Sequence, residues 1–278
     1  MQLPLFYADD IIKMALKEDI HYLDTTTDLM IPEESRSTAR FMAKAEGVVC
    51  GLDVALRVFQ LLDDSFTCKV LLPEGSQVKP GDIIAELEGR TRFLLKGERT
   101  ALNLLQHMSG VATATHQAVK LVEGTRAAIT DTRKTLPGLR ALQKYAVTVG
   151  GGKNHRFNLS DGAMLKDNHI DAAGGIPQAV AAIRNKLGHM VKLEVETRNL
   201  EEVRQALEAG ADVIMLDNMD CAAMAEAVKL VDGRALLEAS GGITADTLRA
   251  VAETGVDIIS IGALTHSVKA MDISMKIR

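Results

Sequence analysis

The stretch Val191–Asn218, VKLEVETRNLEEVRQALEAGADVIMLDN, decides the fold class. It opens with a short apolar run, Val191–Val195, that closes on Glu196. A helical stretch follows, Leu200–Ala209, with apolar residues on one side and charges on the other. A second apolar run, Asp212–Leu216, then ends in Asp217-Asn218. Runs so little interrupted by polar residues read as parallel strands buried on both faces. Strand, helix and strand in this order make a βαβ unit. The same texture continues on both sides. Strands are predicted at Ala127–Thr130, Ala163–Leu165, Ala235–Leu237 and Asp257–Ser260, with another amphipathic helix at Thr244–Glu253. Repeated units of this kind build either a parallel barrel or a doubly wound sheet. The strand ends discriminate between the two. Each finishes in a polar or glycine-rich signal: Asp131-Thr-Arg-Lys, Lys166-Asp-Asn-His, Glu196, Asp217-Asn, Ser240-Gly-Gly and Gly262-Ala. A barrel gathers all such ends on one face, where chemistry is done, whereas an open sheet spreads them along a line. The pattern therefore predicts an α/β barrel over residues 111–267.

Upstream, residues 1–110 read as a separate mixed α/β domain. Ile11, Ile12, Ala15 and Leu16 have helical spacing within Asp9–Glu18. Ala39, Phe41 and Ala43 alternate with polar neighbours as in a half-buried strand. Leu52–Leu62 is again helical. Short strands follow at Phe66–Leu72, Gln77–Val78 and Asp82–Leu87, punctuated by Pro73, Gly75, Pro80 and Gly81. The segment PEGSQVKPGDIIAELEG resembles the hairpin of biotin- and lipoyl-carrier domains. No modifiable lysine stands at the required hairpin tip, so a small β-rich packing unit is the expectation. Gly97–Glu123 is predicted helical and joins the two domains, with Gly110 marking a kink or seam. Met271, Ile273, Met275 and Ile277 alternate with polar residues, and this strand, within 268–278, is expected to return to the N-terminal sheet.

Composition narrows the function classes. The chain has 278 residues, 47% hydrophobic, and a formal charge of −5. That is enough to bury a sizeable core, but the acidic balance is wrong for a general nucleic-acid binder. With 3% aromatics and no Trp, base-stacking platforms are not expected. Cys50, Cys68 and Cys221 are odd in number and lack CxxC spacing, so a disulfide framework or zinc site is not expected and a reducing cytoplasm fits. The first residues show no secretory pattern, and no apolar run approaches the roughly 20 residues that span a membrane.

Charge is unevenly distributed. Between Asp131 and Ile170 the positive side chains are Arg133, Lys134, Arg140, Lys144, Lys153, Arg156 and Lys166, against Asp131, Asp161 and Asp167, an excess of four. His155 and His169 stand among them. Arg140 and Lys144 are read as a solvated helix face. Arg133, Lys134 and Lys166 directly follow strands and are placed at the barrel mouth. Cations gathered there repel one another unless an anion sits between them, and Arg suits planar carboxylates. Ser240-Gly-Gly and Ile261-Gly-Ala, at successive late strand ends, suit a phosphate. Glu196 and Asp217, at neighbouring strand ends, supply hard oxygens for magnesium or sugar hydroxyls, or balance nearby cations. Glu194 alternates with Glu196 without an assigned role. Gly150-Gly-Gly-Lys lacks Walker spacing and is read as a sharp loop before His155 and Arg156.

Six segments carry a resemblance. They are GERTALNLLQHMSGVAT (97–113), the long block 130–170 from TDTRKTLPG through GGGKNHRFNLSDGAMLKDNHI, LEVE (193–196), IMLDN (214–218), EASGGI (238–243) and ETGVDIISIGALTHS (253–267). Together they closely resemble the quinolinate phosphoribosyltransferase family, the decarboxylating nicotinate-nucleotide pyrophosphorylases, over nearly the whole chain. The resemblance implies an N-terminal open α/β sandwich, an irregular TIM-like α/β barrel and a homodimer, with a higher oligomer left open. It implies quinolinate and PRPP as substrates, magnesium as cofactor, and no nucleic-acid or membrane partner. By the same resemblance, Arg133, His155, Arg156 and Lys166 surround the quinolinate carboxylates, with Thr132 and Lys134 beside them. Arg99 reaches the partner subunit's site. Glu196 and Asp217 hold the ribose hydroxyls and magnesium. Ser240, Gly241, Gly242 and Gly262 contact the 5-phosphate, with Ile261 and Ala263 alongside. Lys134, Lys166, Glu196 and Asp217 are the catalytic candidates. A related pyridine phosphoribosyltransferase or the family's molybdenum-associated homologue shares much of this pattern. A dicarboxylate-binding protein without activity is disfavoured by the intact Arg/Lys set beside Glu196 and Asp217.

Overall fold

The computed structural model describes residues 4–278. The elements in chain order are α1 (Phe6–Asp19), α2 (Thr25–Met30), β1 (Arg36–Ala43), β2 (Gly47–Val48), α3 (Leu52–Leu62), β3 (Thr67–Val70), β4 (Gln77–Val78), β5 (Ile83–Arg90) and α4 (Thr91–Leu121). Then come β6 (Ala128–Thr130), α5 (Arg140–Val149), β7 (Ala163–Leu165), α6 (Asp167–Ala173), α7 (Ile176–Arg184), β8 (Leu193–Thr197), α8 (Leu200–Glu208) and β9 (Val213–Asp217). The remainder is α9 (Cys221–Val231), β10 (Leu236–Ser240), α10 (Ala245–Glu253), β11 (Ile258–Ser260), α11 (Ala263–His266) and β12 (Ile273–Ile277). Two compact units emerge. The first comprises the chain through His116, Thr135–Gly151 and Leu264–Arg278; the second comprises Gln117–Lys134 and Gly152–Ala263.

The first unit is built on an antiparallel sheet of order β12-β1-β5-β3. Alternation along β1 turns Ala39, Phe41 and Ala43 into the core, and Phe41 lies opposite Met275 of β12. The apolar face of α3 supplies Val54, Ala55, Val58 and Phe59 to the same core, and the Phe41 and Phe59 ring centroids are 6.2 Å apart. Each of the larger side chains, Phe41, Val54, Val58 and Phe59, contributes about 1.5–3 kcal/mol when fully buried. The carrier-like hairpin does not form, because β4 pairs with β2 while β5 runs between β1 and β3 in the other sheet.

Two expectations are corrected here. Gly110 does not divide α4 into two helices; α4 is one helix of 31 residues. Glycine is required there because the Lys269–Ala270 backbone lies against it: an added Cβ would run into the Lys269 carbonyl oxygen and come within 3.1 Å of Ala270 Cα. Lys144 is not on a solvated face; it is 2% exposed. Burial of Leu142, Gln143 and Lys144 together with Ala146 and Val147 covers more than one face of α5, so this helix is enclosed. Arg140 is half-buried and donates from Nε to Thr135 Oγ1 at 3.0 Å.

Asp63 closes the C-terminal end of α3 and is almost wholly buried. Burial alone would raise its pKa. Hydrogen bonds donated by the Arg90 backbone and guanidinium and by Ser65 outweigh that effect and hold it at about 2. A carboxyl depressed from about 3.9 contributes roughly 2 kcal/mol to stability above pH 4, lost as pH falls towards 2. Asp63→Asn is therefore expected to unfold at lower urea concentration than wild type at pH 7, with the gap closing between pH 4 and pH 2. A gap independent of pH over that window would refute the assignment.

The second unit is an irregular TIM-like α/β barrel. Six parallel strands run in the order β6-β11-β10-β9-β8-β7, matching all six runs read from the sequence. Beyond β6 the neighbouring segment is attached by one parallel bridge, Thr130 to Lys153. Period two sorts each strand's side chains between two faces. Leu193, Val195, Ile214, Leu216, Leu237, Ala239 and Ile259 are buried, and α8 packs on β8 and β9. The alternate set, including Glu194, Glu196, Met215, Asp217, Glu238, Ser240 and Ser260, borders the interior cavities. Asn199 and Asp220 cap α8 and α9 by accepting from Glu202 N and Ala223 N at 2.9 and 2.8 Å. Among the described residues no helix is long and apolar enough to cross a membrane, and the three cysteines are free.

Candidate active site

The site is assembled from Asp131 outward. This side chain is fully buried at the end of β6. Its carboxylate accepts from Asn154 Nδ2 at 2.6 Å and from the His155 backbone N–H at 2.9 Å. A carboxylate bonded twice to one loop fixes that loop, so the 154–156 segment is held beside β6. The residues following β6, Thr132, Arg133 and Lys134, then border a cavity of about 400 Å³ together with His155, Arg156 and Lys166. Lys166 directly follows β7. Every quinolinate-side candidate of the second unit thus lines one concavity.

The electrostatics of this concavity suit an anion. Arg156 donates to the Gly162 carbonyl at 3.0 Å. Its pKa is lowered, first by burial and then by the neighbouring Arg133 guanidinium, against a pull upward from Glu194. Two guanidinium groups close enough to repel are relieved when a carboxylate comes between them. Lys166 Nζ lies 3.2 Å from Glu196 Oε2.

Glu196 and Asp217 end β8 and β9 and face the same cavity. An all-oxygen pair bordering an open space fits magnesium shared with substrate phosphates. Ser240, at the end of β10, also lines the cavity, and its carbonyl accepts from Asn218 N at 2.9 Å. The turn after it needs two glycines: Gly241 and Gly242 have φ of 94° and 59°, and a Cβ on Gly241 would overlap the Asn218 amide. Gly241, Gly242, Ile261 and Gly262 are in the loops following β10 and β11, Ala263 begins α11, and none of the five borders the cavity. Arg99 is exposed on α4, in the first unit.

Four lining residues were not singled out from the sequence: Met164, Met215, Glu238 and Ser260. All four stand two positions before a residue that was, since Met164 precedes Lys166, Met215 precedes Asp217, Glu238 precedes Ser240 and Ser260 precedes Gly262. Glu238 and Glu194 meet deeper in the barrel. His155 Nε2 is 3.1 Å from Glu194 Oε2 and 3.5 Å from Glu238 Oε2. Burial, and next the Glu194 charge, raise the Glu238 pKa, while His155 opposes them. The ligand atoms of these three residues lie within 4.8 Å of one another, a spacing that could also hold a metal ion. The imidazole-to-Glu194 distance is already that of a hydrogen bond.

The chain is similar to known proteins over nearly its whole length. The family description "Quinolinate phosphoribosyl transferase, C-terminal domain" matches residues 111–276, and its N-terminal counterpart matches 24–109. A Bacillus subtilis protein described as a probable nicotinate-nucleotide pyrophosphorylase (carboxylating) is 47% identical, over 94% of this chain and 90% of its own. A Nicotiana tabacum quinolinate phosphoribosyltransferase (decarboxylating) is 41% identical over 99% of this chain and 83% of its own. The crystal structure of NadC from Streptococcus pyogenes superposes with a TM-score of 0.97 at 42% identity, covering 100% of this chain and 99% of that one. The architecture, the cation-lined cavity and these relatives lead to one assignment: the chain belongs to the quinolinate phosphoribosyltransferase family.

Proposed function

We propose that this enzyme transfers the phosphoribosyl group of PRPP to quinolinate with loss of carbon dioxide, giving nicotinate mononucleotide and pyrophosphate, a step of NAD biosynthesis. The observation that carries the reading is the grouping of Arg133, Lys134, Arg156 and Lys166 with Glu196 and Asp217 around one cavity. Quinolinate is a dianion with a weakly nucleophilic ring nitrogen. The cations bind its carboxylates and hold that nitrogen toward C1 of PRPP. As the C1–O bond to pyrophosphate breaks and the N–C1 bond forms, positive charge develops on the ribose. Glu196 and Asp217 stabilise it from fixed positions. Once alkylated, the pyridinium ring accepts the electron pair of the breaking C2–carboxyl bond, carbon dioxide leaves, and a proton takes its place at C2. Glu196 and Asp217 would hold magnesium, which neutralises the departing pyrophosphate. Ser240 and the glycine loops after β10 and β11 would take the 5-phosphate.

Incubation with PRPP, magnesium and either quinolinate or nicotinate tests the reading. Pyrophosphate and carbon dioxide are expected with quinolinate alone. Turnover of nicotinate without carbon dioxide would favour the related pyridine enzymes, and binding without turnover would end the enzymatic reading.

The homodimer belongs to the same proposal, with Arg99 entering the partner subunit's site. Exposed Phe6, Tyr22 and Leu29, at 66%, 87% and 75%, supply apolar surface in the first unit for a partner to cover. Arg99→Ala and Lys166→Ala proteins, each inactive alone, are expected to regain activity when mixed and allowed to exchange subunits. Fully exchanged mixtures that stay inactive would refute the shared site.

A further inference from the structure

The mechanism leaves Glu194 and Glu238 without a task, yet their placement is specific. They project from the middle of β8 and β10 into the barrel, with side chains 8% and 2% exposed, and both reach one imidazole. The second nitrogen of that ring is also taken: His155 Nδ1 accepts the backbone N–H of Arg156 at 2.8 Å. The His155 backbone is in turn fixed by buried Asp131. The ring is thus held on one side by carboxylates and on the other by the residue that begins the cationic wall.

Two carboxylates buried side by side are costly to fold, and replacing such groups is often neutral or stabilising. Stability therefore gives no reason for the pair. The cations do. Arg156 is disfavoured by burial and by Arg133, and Glu194 offsets part of this. In the absence of an anionic ligand, negative charge beneath the wall keeps mutually repelling cations in place. A second cavity of about 400 Å³, bordered by Val213, Leu236 and Ile258 at the starts of their strands, also reaches His155, Arg156 and Glu238. His155, Arg156 and Glu238 thus border both cavities, so the carboxylates are the polar groups that hold the ring between them.

We propose that Glu194 and Glu238 are positioning residues that act through His155 to set the site's grip on the pyridine dicarboxylate. The proposal rests on the function given above and names residues which that reading leaves unused. Preorganised ligating groups bind more tightly because the cost of ordering them is already met.

Glu238→Gln, Glu194→Gln, His155→Asn and the His155→Asn/Glu238→Gln double variant test it, with quinolinate Kd measured by calorimetry, KM for both substrates by pyrophosphate release, and Tm. Glu238→Gln is expected to raise quinolinate Kd and KM about 10-fold, to leave KM for PRPP within about 2-fold, and not to lower Tm. On the His155→Asn background the same change is expected to move quinolinate affinity less than about 2-fold, because the path it acts through is gone. Glu194→Gln is expected to follow Glu238→Gln. Unchanged quinolinate affinity in both glutamine variants would overturn the clamp. So would an equal rise in both KM values with a lowered Tm, which marks a structural role, or an undiminished effect on the His155→Asn background. Wild type that binds quinolinate without releasing pyrophosphate would overturn the proposed function alone, with the clamp still read from Kd.

Discussion

Lys166→Ala is expected to reduce turnover with quinolinate by about 1,000-fold or more, while Tm stays within about 2 °C of wild type. The side chain is 49% exposed at the barrel mouth and bonded to Glu196, so its loss creates no core cavity, and exposed substitutions ordinarily move stability by about 0.5 kcal/mol or less. What changes is the charge facing the substrate. Removing the ammonium takes one cation from the dianion's site and leaves Glu196 without this partner, so repulsion is added where attraction was lost. A 1,000-fold loss corresponds to about 4 kcal/mol of transition-state stabilisation, the size seen when one preorganised electrostatic group is deleted. Arg133→Ala is expected to behave alike. Single-turnover and steady-state assays beside a thermal melt decide the point; activity within 10-fold of wild type in either variant removes that residue from the machinery.

The second large effect concerns stability. Gly110→Ala is expected to cost about 3 kcal/mol. Two terms oppose each other. Alanine inside a helix gains up to about 1 kcal/mol over glycine. Against it, the methyl would occupy the space of the Lys269 carbonyl, and that backbone is not free to retreat. Met271 N donates to Gln106 O at 3.0 Å, Gln106 Nε2 donates to Ile273 O at 2.6 Å, and β12 is paired with β1. Overpacking a rigid site costs typically 1–3 kcal/mol and breaking these bonds adds to it, so the clash wins. At about 2–4 °C per kcal/mol, Tm should fall by roughly 10 °C. An unchanged or higher Tm would show that the 269–270 backbone yields easily.

Much of this was legible in the sequence because the barrel strands are short, apolar and closed by chemical punctuation. Leu52–Leu62 was bounded to the residue, and all six barrel strands were located. What escaped was direction. A strand read as Ala235–Leu237 gives too few alternations to show a face, so Glu238 fell just outside it and its inward position went unseen. In the structure β10 runs to Ser240 and the period becomes plain. Lys144 departs from the expected solvated face for a related reason: charge marks a surface only when some face of the helix is open, and enclosure of α5 depends on contacts remote in sequence. Gly110 carried a true signal with the wrong cause, since close approach by residues 269–270 cannot be read locally. The phosphate loops were legible from glycines at successive strand ends, whereas the role of Arg99 comes from motif resemblance alone, and no pattern of charge or periodicity supplies it.

The strand pair β1–β12 joins residues near 40 to residues near 275. During synthesis the earliest strand therefore emerges long before its edge partner. One rim of β1, with Phe41 facing inward, stays open while the entire barrel is translated, and an unpaired edge is a template for wrong partners. The unit that starts first is finished last. Closure of the first unit therefore waits on the synthesis of β12, which follows every strand of the barrel, rather than on local folding around β1.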